Sequence, residues 1–157
     1  MLSAARRRLP VFASVLLLGL VAAGCGEVRE QTQWSGGRMQ GVNTDAGEIA
    51  IRDVVVVSDI DGQQATVLAM LVNSGDEDEL VRVRVGSVEA EPEGGSLTIP
   101  AGGAARLGPD GTRLDAEGVD VQPGMRVEVE LVFGSAPRAT VDTLVQAADG
   151  VYADALD

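Results

Sequence analysis

The chain has no histidine, no lysine, one cysteine and very few aromatic residues. Without histidine it cannot assemble a Ser-His-Asp or Cys-His nucleophile, nor a His-based zinc or type-1 copper site. A single cysteine rules out an intramolecular disulfide. Beyond residue 25 the aromatics are Trp34, Phe133 and Tyr152 alone, too few to form platforms for bases or sugars. Positive charge is also scarce. Twelve Arg face 24 Asp and Glu, and the formal charge of -12 repels phosphate backbones, so nucleic acid is excluded as a partner. The all-Arg choice, beside abundant Ala, Gly and Val, reads as codon bias of a GC-rich genome. Carboxylates are plentiful, but no spacing marks out a catalytic pair; most fall in loops or on alternate strand positions. The inventory therefore implies no enzyme and no cofactor.

What is present begins with an address. MLSAARRRLPVFASVLLLGLVAAGC carries three consecutive Arg (Arg6 to Arg8), then an apolar run from Leu9 to Ala23, then Gly24-Cys25. That run of about fifteen residues is short of the roughly twenty a spanning helix needs, and its basic start fits a secretory signal. Val21-Ala22-Ala23-Gly24-Cys25 matches a bacterial lipobox. Small residues there admit the signal peptidase, and the Cys25 thiol accepts a diacylglyceryl group and becomes the new N-terminus. Two acyl chains suffice for stable anchoring. Residues 1–24 are thus expected to be a lipoprotein signal peptide, with the chain exported and held at the outer face of the cell membrane by Cys25. Loss of the three Arg, with no acid before Cys25, takes the net charge from -12 to -15. Residues 25–47 are polar and Gly-containing without a clear period, and read as a flexible tether bearing a lone Trp34.

From Glu48 the pattern is all-β: short strands at regular spacing, the sign of a sandwich or barrel. EIAIRDVVVVS (Glu48 to Ser58) alternates and then becomes a β-branched run. ATVLAMLVN (Ala65 to Asn73) is apolar on both faces, as in a central strand. In Leu80 to Val88 the residues Val81, Val83 and Val85 face one way and Arg82 and Arg84 the other. MRVEVELVF (Met125 to Phe133) alternates too, and Arg138 to Val145 supplies a last strand. Turns are marked at Asp61-Gly62, Ser74-Gly75, Gly94-Gly95, Gly102-Gly103, Gly108-Pro109, Asp110-Gly111 and Pro123-Gly124. No amphipathic helix of useful length appears. The acidic NSGDEDE (Asn73 to Glu79) lacks the alternating ligands of an EF-hand loop and reads as a solvated turn. The domain is expected over 48–146, with 147–157 an acidic, Ala-rich tail that frays.

Three fragments in order then carry a resemblance: LVNSGDEDELVRVRVGSVEAE (Leu71 to Glu91), IPAGGAARLGPDGTRL (Ile99 to Leu114) and VQPGMRVEVELVFGSAPRATV (Val121 to Val141). They resemble the periplasmic copper chaperone family of the PCuAC type, whose pattern runs N-x-G-x-x-D-x-L, V-E-L-H, I-P-A-G-G, P-G-G-x-H-x-M and P-G-x-x-V-x-V-x-L-x-F. The lipobox, the Gln-containing tether and VNTDAGEIAIRDVVVV are similar to the LpqE-type lipoproteins of actinobacteria, a branch with this domain. The resemblance implies a cupredoxin-like β-sandwich with Greek-key connections. It also implies a Cu(I) site of two His and two Met, soft and borderline donors suited to that ion.

Carried over residue by residue, that site is not found. Glu91 falls at the first His, Arg113 at the His of the ribbon and Asp115 at the Met two places later. The segment bearing the remaining Met is shortened to Pro92-Glu93-Gly94-Gly95-Ser96. Met1, Met39, Met70 and Met125 lie elsewhere. The leading reading is a non-enzymatic binding or accessory module of the cell envelope, with an envelope protein or a ligand as partner. Glu91, Asp110, Arg113 and Asp115 form its candidate contact rim, where Arg113 would pair with Glu91 or Asp115. The alternatives are a metal-handling protein with a divergent site and, weakest, an enzyme working with carboxylates alone.

Overall fold

The structure, a computed structural model describing residues 41–157, consists of strands joined by turns, with one 3-10 turn at Gly150–Tyr152 near its end. The strands are β1 (Val42–Ala46), β2 (Ile49–Ser58), β3 (Gln64–Asn73), β4 (Asp78–Val85), β5 (Val88–Ala90), β6 (Leu97–Ile99), β7 (Ala104–Leu107), β8 (Asp115–Glu117), β9 (Arg126–Phe133) and β10 (Ala139–Ala147). Every turn expected from Gly and Pro falls between strands.

The strands make two layers joined along one side. In the first, β1 and β3 flank the N-terminal half of β2, and β3 continues to β7 and β8. In the second, β4 lies between β9 and the short β5 and β6. β10 belongs to both. Its residues 139–144 run antiparallel to β9, and Val145 to Ala147 then run parallel to Val56 to Ser58 of β2. The sheet therefore curls on itself, and Ile51, Val54, Val56, Val67 and Leu71 of one layer meet Leu80, Val83, Val85, Val129 and Leu131 of the other, all fully buried. Each such side chain contributes roughly 1.5–3 kcal/mol of gross drive, so the core needs no disulfide. Buried hydroxyls are satisfied: Thr143 Oγ1 donates to the Val54 carbonyl at 3.2 Å and Thr66 Oγ1 to that of Leu114 at 2.9 Å.

Three expectations change. The domain starts before Glu48, because β1 takes the last residues of the expected tether and pairs Ala46 with Ile49 and Val42 with Val54. Its alternation of polar Asn43 and Asp45 with small Thr44 and Ala46 is too weak to announce a strand; β2 supplies the pairing. Along β4, a bulge opposite β9 between Leu80 and Arg82 puts Leu80 on the core face and leaves Val81 half-buried. The tail does not fray. Residues after Ala147 fold back over the outer face of β2 and β3, where Ala148, Tyr152 and Ala155 pack against Val55, Val57 and Leu68. The expected signal peptide, Cys25, Trp34 and the rest of the tether up to residue 40 lie outside the described residues.

Candidate functional site

Each layer ends in an edge strand broken in the middle. β5 and β6 both pair with β4, at Val83–Val85 and at Asp78–Leu80, and residues 91–96 leave the edge between them. β7 and β8 both pair with β3, at Ala69–Val72 and at Gln64–Thr66, and residues 108–114 leave that edge. The two excursions meet. The Glu93 amide donates to the Arg113 carbonyl at 2.9 Å, and Pro92 and Leu114 are buried beneath them. Of the candidate rim, Glu91 begins the first excursion, Asp110 and Arg113 lie in the second, and Asp115 follows it at the start of β8.

The second excursion is tied into itself and onto β3. Thr112 N–H donates to the Arg106 carbonyl, and Gly108 N–H to that of Thr112, both at 3.0 Å. Thr66 and Val67 both donate to the Leu114 carbonyl. Gly108 takes a φ of +127°, a backbone region that favours glycine, and a Cβ there would run into the Leu68 side chain. A Cβ on Gly111 would run into the Arg106 carbonyl. Turn chemistry thus does here what a ligand or disulfide does elsewhere: it closes the loop.

Electrostatically the rim differs from expectation. Glu91, Asp110 and Asp115 are exposed and Arg113 is half-buried. Among the described residues, no carboxylate comes within the 4.0 Å of an ion pair with Arg113, so the anticipated partnership with Glu91 or Asp115 does not form. The backbone bonds at Arg113 and Leu114 fix this segment's course, and exposed pairs are worth only about 0–1 kcal/mol, too little to redirect it. Arg52, Arg82, Arg84, Arg126 and Arg138 are each paired with an acid. Among the described residues Arg106 and Arg113 have no such partner, and they bracket the same loop. Sequence reading missed Arg106, whose only signal is its place at the foot of the ribbon.

The acidic loop after β3 is structural. Asn73 is buried; its amide donates to the Asp76 and Ile99 carbonyls and its oxygen accepts the Gly75 N–H. Asp78 accepts N–H groups from Glu79, Ser135 and Ala136 at 2.7–2.9 Å. Burial pushes its carboxyl up, but the backbone donors of Ala136, Glu79, Ser135 and Gly134 outweigh this and hold it below its ordinary value. A cleft of 380 Å³ lies beside it, lined by Glu48, Asn73, Asp76, Ser135 and Pro137 among others. Among the described residues no group of three or more His, Cys, Asp or Glu is arranged to hold a metal ion.

No protein family's sequence pattern and no curated protein matches the chain. Solved structures do. The copper-bound PCuAC domain from PmoF2 superposes with a TM-score of 0.58 at 23% identity, covering 68% of this chain and 98% of that one. The apo PCuAC domain from PmoF1 gives 0.61 at 23% identity, covering 68% and 99%. The apo PCuAC domain of PmoF2 gives 0.57 at 21% identity, covering 69% and 98%. The fold is therefore the cupredoxin-like β fold of PCuAC domains. The donors on this rim do not fit copper(I), which takes thiolate, thioether and imidazole. The rim presents carboxylates and guanidinium groups. Met70 stands across from Arg52 and Arg106 on the first layer, and Met125 sits at the foot of β9.

Proposed function

We propose that the chain is an exported lipoprotein of the LpqE type known from actinobacteria, anchored at the outer face of the cell membrane by acylated Cys25. Its PCuAC-like domain acts as a non-enzymatic binding module of the envelope, not as a copper carrier. One observation supports the reading: two edge excursions, tied by the Glu93–Arg113 bond, converge beside Glu91, Arg113 and Asp115, hard and cationic groups at the positions where the sequence resemblance implies the family's ligands. A preformed rim of mixed charge suits a protein partner, since charged groups there set register and on-rate. The test is crosslinking and pull-down from native membranes with the full chain and with a Glu91→Ala, Arg113→Ala, Asp115→Ala triple variant. A partner held by the parent chain and lost by the variant is expected. Equal capture by both, or nothing beyond a lipidated control, overturns the reading.

Metal handling through a divergent site is the second reading. The likeness in fold to a copper-bound PCuAC domain favours it, and direct titration separates the two.

A further inference from the structure

The chain holds three Asp-Gly steps: Asp61-Gly62, Asp110-Gly111 and Asp149-Gly150. Each sets a carboxyl group beside an amide nitrogen that no Cβ shields, the arrangement from which an aspartate can close onto its own backbone. As sequence the three are equivalent. The fold makes them unequal.

At the first two the attacking nitrogen is occupied. Gly62 N–H donates to the Asp59 carbonyl at 3.2 Å, and Gly111 N–H to that of Gly108 at 3.0 Å. Both glycines are also crowded: a Cβ on Gly62 would press on Val121 and Gln122, and one on Gly111 would run into the Arg106 carbonyl. The Asn73-Ser74 step is closed in the same way, because Ser74 N–H donates to the Glu48 carbonyl and the Asn73 side chain is engaged by Asp76, Ile99 and Gly75. Asp149-Gly150 is open on every count. Both residues are exposed, and the Asp149 carboxylate accepts nothing from the 3-10 turn that follows it. The Gly150 N–H has no acceptor among the described residues. Apart from its chain neighbours, nothing lies within 4 Å of where a Gly150 Cβ would stand, so a ring has room to form. The bond at stake, from the Tyr152 N–H to the Asp149 carbonyl at 2.8 Å, closes one short turn with no strand behind it.

We infer that Asp149-Gly150 is a site of spontaneous isoaspartate formation. The Gly150 nitrogen attacks Asp149 Cγ. A C–N bond forms as the Cγ–OH bond breaks, and the hydroxyl leaves with the amide proton as water. Water then opens the succinimide. Addition at Cγ restores aspartate; addition at the α-carbonyl breaks the original peptide bond and leaves the chain routed through Cβ and Cγ, with a free α-carboxylate. The rerouted backbone is one methylene longer, and the carbonyl that held the Tyr152 N–H becomes a carboxylate off the main chain. Tyr152 and Ala155 thereby lose their register on Val55, Val57 and Leu68, the surface the C-terminal segment covers. The step is a slow release for that segment. No residue of the Glu91 and Arg113 rim takes part, so this inference stands or falls apart from the proposed function.

The test incubates the full chain, in neutral phosphatidylcholine nanodiscs, at neutral pH in heavy-oxygen water, which marks each ring opening. Peptide mass spectrometry locates the label, and a protein-L-isoaspartate methyltransferase counts the isoaspartate. Label in the Asp149 peptide is expected to exceed that in the Asp61 or Asp110 peptide by at least about fivefold, the factor set by one surrendered amide hydrogen bond. In urea, where those bonds are gone, the three steps should react alike. Asp149→Glu, whose longer side chain disfavours ring closure, should clear the label from its own peptide and leave the other two unchanged. Hydrogen exchange at the Tyr152 and Ala155 amides should quicken in the aged parent in step with its isoaspartate, and not in aged Asp149→Glu. Equal label at the three steps of the folded chain overturns the inference, as does faster label at Asp61 or Asp110. Isoaspartate at Asp149 with the Tyr152 and Ala155 amides still protected overturns the release.

Discussion

The Glu93 amide and the Arg113 carbonyl, 2.9 Å apart, join the broken edges of the two layers. Neither residue belongs to a strand, and the bond is made by backbone, so side chains on the rim can vary without undoing it. This separates the scaffold of the rim from its chemistry. The fold can hold Glu91, Arg113 and Asp115 beside this junction whatever their side chains carry.

Closure of the second excursion should depend on Gly111. A Cβ there meets the Arg106 carbonyl, which also accepts the Thr112 N–H that closes the loop. Gly111→Ala is expected to lower stability by about 1–3 kcal/mol through backbone displacement. Asp110→Ala, one residue away and exposed, should stay within about 0.5 kcal/mol of the parent. Urea unfolding midpoints compare the two, and equal effects would show that the loop yields freely.

Much of this was legible beforehand, for identifiable reasons. Period-two alternation in MRVEVELVF and the β-branched run of β2 place strands because burial on one face demands them. Gly and Pro place turns because few other residues reach those backbone angles. Motif order located the two excursions on either side of Ile99. The pairing of the rim side chains was not legible: ion pairs depend on side-chain directions set by distant backbone bonds, such as those of Thr66 and Glu93. β1 was missed because a polar edge strand owes its existence to its neighbour, and the bulge at Leu80 because alternation conceals a slipped residue. The folded tail was missed because Ala-rich, acidic composition says nothing of the Val55 and Val57 surface awaiting cover.

Asp78 should govern part of the acid stability. Its carboxyl titrates lower in the fold than in the unfolded chain, so the unfolded state binds more protons as acid is added. Its contribution is complete above the ordinary value of 3.8 and is lost as pH falls below that, through the lowered value. Asp78→Asn is expected to flatten stability against pH in that acid window and to reduce stability at pH 7 by about 1–2 kcal/mol, from weaker acceptance of the Ser135 and Ala136 amides. Denaturant midpoints from pH 2 to 7 measure both. A parent and variant with parallel pH curves would contradict the assignment.

The C-terminal segment should stabilise the domain rather than trail from it. Ending the chain after Ala148 exposes Val55, Val57 and Leu68 on the outer face of the first layer. A loss of about 2–4 kcal/mol is expected from that uncovered apolar surface. An unchanged unfolding midpoint would mean that the segment is detached in solution.

Anchoring has a direct test at Cys25. Cys25→Ser removes the thiol that would carry the diacylglyceryl group, so the chain should leave the membrane fraction or accumulate unprocessed. Membrane fractionation and mass spectrometry of the N-terminus report both. A serine variant that remains membrane-bound and fully processed would sink the lipoprotein reading.

Copper(I) decides between the two functional readings. Carboxylates are hard donors and a guanidinium is no donor at all, so the Glu91, Arg113, Asp115 rim should compete poorly with a soft chelator. Titration in reducing buffer, against a colorimetric Cu(I) ligand, should reveal no site tighter than about micromolar. A tighter site would restore metal handling, and its dependence on residue would show where it lies. Loss on Met70→Leu would place it on the outer face of β3, loss on Met125→Leu at the foot of β9, and loss on Glu91→Gln at the rim. A tight site indifferent to Met70, Met125 and Glu91 but abolished by Cys25→Ser would be a thiolate adduct of the unacylated chain, and the binding-module reading would survive it.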